Sequence, residues 1–268
     1  TDNEFTVTLP NHIGMLTSRL TTGEFGHRYT ANGTPPSDAI LRDANGQKID
    51  SIYNRTAAAH IFSSLNAAKS KFVIFEQSYK SQIDDFFISA DGELQFQHFL
   101  NTFREAKEQR SFHLLHFMHP DVAGHLYGWN LSTDSKYMQA IAAVDDLLRQ
   151  LLEWLDDNPE IAENTAIVLT SDHGGGGPHK NHHGIGHLWV NYIIPLFVWT
   201  GDGKAQGDLY EINAGAYLNP GLEDPMPNSE SLPAIRNADV GNLCLNLLGL
   251  PPIKNSTRNN QQNIRIFK

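Results

Sequence analysis

The residues of this chain best suited to chemistry are concentrated in residues 165–187, which read TAIVLTSDHGGGGPHKNHHGIGH. An apolar run typical of a buried strand leads into Asp172 and His173, and carboxylate and imidazole groups together suit zinc or a similar divalent metal. The glycines Gly174–Gly177 allow close approach between the backbone and a ligand. A solvated glycine- and histidine-rich loop would explain the histidines equally well, but it explains an Asp-His pair at a strand end less well. Five of the 13 histidines lie within these residues: His173, His179, His182, His183 and His187.

A second candidate metal motif is the segment DVAGHLYG, residues 121–128. Asp121 and His125 can reach one ion if the backbone turns sharply between them, which Gly124 would permit. This motif follows a predicted strand, as Asp172 does, and ligands of open α/β sheets bind beyond the carboxyl ends of the strands. Two carboxylate–histidine pairs at neighbouring strand ends predict two metal ions that share one cleft.

A third candidate is Thr8, in the segment TLPNH that opens a predicted helix. Backbone N–H groups and the helix dipole favour an anion at this position. A metal bound to the Thr8 hydroxyl would lower its pKa and make it a nucleophile. Taken alone, a threonine before a helix is more often a plain helix cap.

The elements that must position these residues are predicted from hydrophobic periodicity and turn signals. Strands are predicted over 72–76, 111–118, 165–171 and 192–200, with a short extended run over 6–10. Helices are predicted over 11–20, 52–68, 94–109, 132–154 and 238–250, with Ser132 or Thr133 capping the fourth. Strands that alternate with helices predict an α/β fold, with a central, mainly parallel sheet and helices on both faces. We expect residues 1–268 to form one domain.

Composition and charge exclude several classes of function. The formal net charge of -10 argues against a nucleic-acid polymer as partner, although bound cations would still allow small anionic substrates. No run of residues is long and apolar enough to predict a membrane span. The single cysteine, Cys244, can form no intrachain disulfide and leaves the compartment undecided. Thr1 in place of an initiator Met favours a processed chain in the periplasm or outside the cell, and the oligomeric state is not indicated.

Three ordered motifs resemble the alkaline phosphatase superfamily, and most closely its type I phosphodiesterase/nucleotide pyrophosphatase branch. The first motif is TLPNH, which begins at Thr8 and continues through a T-G and an H to Asn32. The second is DVAGHLYG, followed by a long helix, and the third is the segment SDHG, residues 171–174. The closing segment IRNADVGNLCLNLLGLPPI resembles the last helix of the family. The resemblance covers nearly the whole chain.

The resemblance implies a role for each matching position. Thr8 would be the nucleophile and a ligand of one metal, which Asp172 and His173 would also bind. Asp121, His125 and a later histidine would bind the other metal, and both metals would be divalent, as Zn²⁺ is. His183 fits the later position best, with His182 as second choice and His187 as third. Asn32 would bind a phosphoryl oxygen.

The chain departs from the family pattern in two places. The spacing from Thr8 to Asn32 is a few residues longer than the family suggests. The family also carries an aspartate on its first strand, upstream of the nucleophile, which binds the same metal as the threonine. Asp2 lies too close to Thr8 to serve, so either the amino-terminal portion is missing from this sequence or the second metal is weakly held. We expect the first, because the missing strand should also be central to the sheet.

Taken together, the motifs predict a metal-dependent hydrolase of phosphoric esters that acts on a small phosphate ester or nucleotide, as a phosphodiesterase or nucleotide pyrophosphatase does. A phosphomonoesterase, a sulfatase and a phosphomutase of the same superfamily remain alternatives. The sulfatase alternative lacks a C/S-x-P-S-R motif, since Cys244 lies in an apolar helix instead. A catalytically silent metal-binding or sugar-phosphate-binding protein is the alternative from a different class, and the absent aspartate motivates it.

Overall fold

The computed structural model describes residues 1–2, 4–177, 182–184, 188–222 and 232–267. Within them, none of the helices is long and apolar enough to cross a membrane. The strands are β1 (Phe62–Ala67), β2 (Asp85–Ile88), β3 (Ser111–His116), β4 (Ala166–Thr170) and β5 (Leu196–Thr200). The helices are α1 (Thr8–Thr17), α2 (Ile52–Ala58), α3 (Val73–Tyr79), α4 (Gly92–Glu105), α5 (His119–Tyr127), α6 (Lys136–Asp156), α7 (Pro159–Ala162), α8 (Trp189–Tyr192), α9 (Leu209–Ile212) and α10 (Val240–Leu247). Short 3₁₀ turns, Ser70–Phe72 and Asn237–Asp239, precede α3 and α10.

The described strands form two sheets. The larger sheet is parallel, with the order β2-β1-β3, so the prediction of a mainly parallel α/β sheet is confirmed. The smaller sheet is the antiparallel pair β4-β5; the sequence predicts both strands but not their antiparallel pairing. Among the described residues, no strand pairs with both β3 and β4 to join the two sheets.

Helices cover both faces of the parallel sheet. Successive side chains of a strand point to opposite faces, so Leu114 packs against the cluster around α1, α2 and α3, while Leu115 packs against the cluster around α4 and α6. The side chains of β4 alternate in the same way: Ile167 faces α4 and α6, and Val168 faces α10. This alternation leaves the strand ends, rather than the sheet faces, as the place for a site.

The largest corrections to the predicted elements fall in residues 52–79. The predicted helix 52–68 is the short helix α2 followed by β1, and the predicted strand 72–76 lies in the turn Ser70–Phe72 and helix α3. The run FVIFE supplies Ile74 and Phe75 to the buried face of α3, which continues one turn later with Ser78 and Tyr79. A short apolar run does not distinguish a strand from a buried helix by periodicity.

Strand β1 was not predicted because three of its five buried positions are polar. Ser63, Ser64 and Asn66 are fully buried, where apolar side chains are the rule. Each has a partner that offsets part of the desolvation cost. Ser63 Oγ donates to the carbonyl of Gln82 at 3.0 Å, Ser64 Oγ lies 2.8 Å from His113 Nδ1 on β3, and Asn66 Nδ2 donates to Ser64 Oγ at 3.2 Å. Strand β2 was not predicted at all.

The remaining differences concern element ends. The predicted extended run 6–10 becomes helical at Thr8, because Pro10 is compatible with the first turn of a helix. Ser135, rather than Ser132 or Thr133, caps α6 by accepting the Met138 N–H at 3.1 Å. The predicted strand 192–200 begins only at Leu196, after Pro195, and Tyr192 closes the short helix α8.

Candidate active site

The site forms where the parallel strands end. In the parallel pairing of β1 with β3, Ala67 lies opposite His116, so both strands finish at one edge. Lys69 follows β1 there, and α5 with Asp121 follows β3. Asp172 and His173 follow β4 and reach the same place, since His173 Nε2 lies 3.9 Å from Asp121 Oδ1.

Asp121 and His125 come together on a regular helix rather than through a sharp turn. They are four residues apart on α5 and therefore share one helix face, with His125 Nε2 3.4 Å from Asp121 Oδ1. Gly124 has a different role from the one expected. A Cβ at this position would meet the ring of Trp129 at 2.3 Å, so the glycine makes room for that indole.

His183 completes this group from the glycine/histidine stretch. Its Nε2 lies 3.1 Å from His125 Nε2 and 3.9 Å from Asp121 Oδ1. Its Nδ1 lies 2.6 Å from the Thr6 carbonyl, which fixes the ring, and the ring stacks on His173 with centroids 3.7 Å apart. His182, the second choice, is exposed, and its carbonyl accepts the Gly176 N–H at 3.2 Å. His187, the third choice, and His179 lie outside the described residues.

The two oxygens of Asp121 face different partners. Oδ2 accepts a hydrogen bond from Lys69 Nζ at 2.6 Å. Oδ1 is buried without a hydrogen-bond partner among the described residues, although Nε2 atoms of three histidines surround it. An unpartnered buried carboxylate oxygen is costly unless a cation satisfies it. One carboxylate oxygen with imidazole nitrogens is a donor set for zinc, and Asp121, His173 and His183 place ligand atoms within 4.8 Å of one another.

The protonation states suit a cation. Burial lowers the pKa of His183 to about 4, so its imidazole is neutral at neutral pH and keeps a lone pair for a ligand bond. Burial works against ionisation of Asp121, but the charge and hydrogen bond of Lys69, together with His173 and His125, outweigh it, and the pKa of Asp121 falls below its usual value.

Thr8 lies at the amino end of α1, next to this group, and is 1% exposed. Its Oγ1 is 3.4 Å from His173 Nε2, and Lys69 Nζ approaches the same oxygen at 3.3 Å. His173 Nε2 is also 3.4 Å from Asp172 Oδ2, which has His12 Nδ1 on its other side at 3.7 Å. The threonine, Asp172 and His173 therefore form a second group that shares His173 with the first.

Asn32 lies beside Thr8 and fixes the start of α1. Its Oδ1 accepts the Leu9 N–H at 2.9 Å and a hydrogen bond from Lys71 Nζ at 3.0 Å. These two donors define the orientation of the amide, so its NH₂ group is the part available to a ligand. They also limit the anion site expected at this helix end, because the Leu9 N–H is occupied and Pro10 has none. The Thr8 N–H has no hydrogen-bond acceptor among the described residues, so it is the backbone donor of this turn that remains for a ligand.

The glycines after Asp172 are required by close packing. A Cβ on Gly174 would lie 2.0 Å from the Val190 carbonyl oxygen, and one on Gly175 would lie 2.0 Å from the Trp129 ring. Gly176 has a φ of 118°, a backbone conformation that residues other than glycine rarely adopt. The backbone at this point therefore approaches its neighbours as closely as the sequence suggested.

Lys69 and Lys71 are the site residues that sequence reasoning missed. They surround Thr8 and Asn32 with positive charge, although the chain as a whole is acidic. The signal that could have found them is their place just after β1, but that strand was predicted as helix. Asp2, considered and rejected as a metal ligand, accepts the Thr21 N–H at 3.0 Å and the Glu4 N–H at 3.1 Å instead.

Comparison with solved structures agrees with this fold. An inactive threonine-to-alanine variant of mouse ectonucleotide pyrophosphatase / phosphodiesterase 5, in complex with AMP, is 16% identical with a TM-score of 0.56, and the match covers 98% of this chain and 90% of that one. The lipoteichoic acid synthase LtaP from Listeria monocytogenes is 15% identical (TM-score 0.54), covering 94% of this chain and 64% of that one. The periplasmic domain of EcEptC from Escherichia coli, in complex with Zn, is 14% identical (TM-score 0.53), covering 92% and 69%.

The present sequence thus spans only part of the Listeria and E. coli chains. At these identities the likeness establishes the fold alone. Among curated proteins, none matches the chain significantly. A family model does match: residues 6–192 fit that of type I phosphodiesterase / nucleotide pyrophosphatase, and they contain Thr8, Asn32 and both metal motifs. The chain therefore belongs to the type I phosphodiesterase / nucleotide pyrophosphatase family.

Proposed function

We propose that this protein hydrolyses phosphoric esters of the phosphodiester or nucleotide pyrophosphate type. Thr8 is the nucleophile, and two divalent metal ions, with zinc as the preferred metal, assist it. One observation carries the proposal. The Thr8 hydroxyl lies at a helix start, 3.4 Å from His173, which itself faces Asp121 at the centre of the histidine group. A nucleophile, a cation site and an amide for phosphoryl binding are thus adjacent.

The proposed metal ligands fall into two sets. Asp121, His125 and His183 would hold one ion, and Thr8, Asp172 and His173 would hold the other. Bound metal would supply Lewis-acid stabilisation of charge on the phosphoryl oxygens and would lower the pKa of the Thr8 hydroxyl. The zinc complex of the E. coli neighbour supports this choice of ion.

The chain's own residues would handle the phosphoryl group as follows. Thr8 Oγ1 would bond to phosphorus while the bond from phosphorus to the leaving oxygen breaks, and water would later release the phosphoryl group from Thr8. Lys69 Nζ, 3.3 Å from Thr8 Oγ1, would balance negative charge at the reacting centre. The NH₂ of Asn32 would donate to a phosphoryl oxygen, because its carbonyl oxygen is already engaged.

Two features of the mouse neighbour support this assignment. Its threonine-to-alanine variant is inactive, which is the behaviour expected if a threonine is the nucleophile. It was solved with AMP, a nucleotide of the class that we propose as substrate. The family match supports the reaction class independently.

A panel of chromogenic esters tests the reaction class. With zinc supplied, we expect bis-p-nitrophenyl phosphate to be hydrolysed faster than p-nitrophenyl phosphate, and p-nitrophenyl sulfate to be untouched. The alternatives give different results. A phosphomonoesterase would hydrolyse p-nitrophenyl phosphate faster than bis-p-nitrophenyl phosphate, and a sulfatase would release p-nitrophenol from the sulfate ester. A catalytically silent binding protein would turn over none of the three, and that result would refute the proposed function.

A further inference from the structure

A pair of lysines lies beside the nucleophile, outside the metal motifs. Lys69 and Lys71 flank Ser70 where β1 passes into the turn Ser70–Phe72. The segment is tied to the loop that carries Asn32 at two points. Lys71 Nζ donates to Asn32 Oδ1 at 3.0 Å, and Ser70 Oγ lies 3.0 Å from Thr34 Oγ1. The two ammonium groups are therefore held in place relative to Thr8 and Asn32.

The two lysines differ in how their charges are balanced. Lys69 forms an ion pair with Asp121, with Nζ and Oδ2 2.6 Å apart. Lys71 contacts a neutral amide oxygen, and in the part of the chain that the structure describes no carboxylate lies within ion-pair distance of it. Burial and then repulsion from Lys69 lower the pKa of Lys71, and the more distant charges of Asp121 and Asp172 offset this only in part. An anion in contact with this half-buried ammonium group would stabilise its charged form.

The positions of the two groups indicate where that anion belongs. Lys69 approaches Thr8 Oγ1, so it faces the phosphoryl group that Thr8 would attack. Lys71 Nζ instead contacts Asn32 Oδ1, the oxygen that also accepts the Leu9 N–H. A single phosphoryl group at Thr8 would occupy Lys69 and the Asn32 NH₂, which would leave Lys71 for a group attached to it.

We propose that Lys71, supported by Lys69, is a specificity-determining residue that binds a second phosphoryl group next to the reacting one. The inference rests on the proposed function and narrows its substrate class. The site takes phosphoanhydrides, which carry two negative charges across adjacent phosphoryl groups, in preference to simple phosphodiesters, which carry one. Charge-assisted contacts of ammonium with phosphate give this selectivity.

The first test is binding without turnover, in the zinc-loaded Thr8→Ala background. Isothermal titration calorimetry compares ADP with AMP, which differ by one phosphoryl group. We expect Lys71→Met to weaken ADP binding about tenfold or more and AMP binding less than about threefold, as loss of one charge-assisted hydrogen bond predicts. Zinc contributes to ADP binding in both proteins, so the comparison isolates the lysine. Lys71→Arg keeps the charge and should restore most of the ADP preference.

A matched control removes an equal charge elsewhere. Lys107 is exposed and lies between α4 and β3, at the sheet edge opposite the site, so Lys107→Met should leave both affinities unchanged. A merely structural role of Lys71, through Asn32, would weaken ADP and AMP equally. That result would overturn the inference, as would unchanged binding of both nucleotides or a lack of measurable ADP binding.

A kinetic comparison separates this inference from the proposed function. In the otherwise wild-type enzyme, Lys71→Met should lower kcat/KM about tenfold or more for diadenosine diphosphate and less than about threefold for bis-p-nitrophenyl phosphate. If wild-type enzyme hydrolyses neither compound, the proposed function fails. If it hydrolyses both and the variant lowers both rates equally, only the assignment of Lys71 fails.

Discussion

Replacing Thr8 by Ala should abolish turnover while leaving the fold intact. Removal of a catalytic nucleophile costs about three orders of magnitude in kcat or more, because the metal and the remaining groups then have no positioned oxygen to activate. Thr8 is buried at the start of α1, where Ala is well tolerated, so the circular dichroism spectrum should be unchanged. The measurement is kcat for bis-p-nitrophenyl phosphate with saturating zinc.

Two further variants make the Thr8 experiment specific. Thr8→Ser keeps the hydroxyl and should retain part of the activity. Thr133→Ala removes a hydroxyl from an exposed position between α5 and α6 and should turn over at the wild-type rate. Wild-type turnover by Thr8→Ala, with metal content unchanged, would falsify the nucleophile assignment and point to water as the direct attacker.

Replacing Asp121 by Asn should remove most zinc affinity and, with it, most activity. Asp121 Oδ1 is the oxygen that the three histidines surround, and a neutral amide satisfies a cation less well than a carboxylate. We expect the zinc dissociation constant to rise by more than the roughly 10–100-fold typical of residues that only support metal ligands. Competition with a chromogenic chelator measures it.

The matched control for this variant is Asp134→Asn, an exposed carboxylate between α5 and α6. It removes the same charge from the protein and should leave zinc affinity unchanged. Because Asp121→Asn also deprives Lys69 of its ion-pair partner, thermal unfolding should be recorded for both variants. A folded Asp121→Asn protein with wild-type zinc affinity would remove Asp121 from the metal site.

The sequence could predict the part of the site that follows strands with a clear apolar pattern. The apolar runs of β3 and β4 identified two strand ends, and Asp121 and Asp172 follow them closely. The structure brings Thr8, Asn32 and the two carboxylate–histidine pairs to one edge, together with His183. The catalytic and metal-binding roles of these residues stay predictions until the variants are measured.

The sequence could not predict the part of the site that follows β1. Three of the five buried positions of that strand, Ser63, Ser64 and Asn66, are polar, and partners such as His113 on β3 cannot be read from periodicity. With β1 taken as helix, the segment after it had no strand end to mark it, and Lys69 and Lys71 were overlooked. A polar, buried strand is thus the physical reason for the gap.

The motif-based positions also needed the structure to explain their local chemistry. Asp121 and His125 meet because α5 is a regular helix, whereas Gly124 serves the packing of Trp129. Asn32 was assigned from a resemblance, and only its contacts with Leu9 and Lys71 define which end of its amide faces a substrate. Neither the role of Gly124 nor the orientation of the Asn32 amide can be inferred from residue spacing in the sequence.

The central claim is that this chain is a metal-dependent phosphoric ester hydrolase, and the most direct test is the turnover of bis-p-nitrophenyl phosphate as a function of bound zinc. The wild-type protein is freed of metal with a chelator, its metal content is verified, and zinc is returned in measured equivalents. We expect no turnover without metal and a rate that rises with zinc until two equivalents are bound. Full turnover by protein verified to be metal-free, or none at any zinc occupancy, would contradict the account.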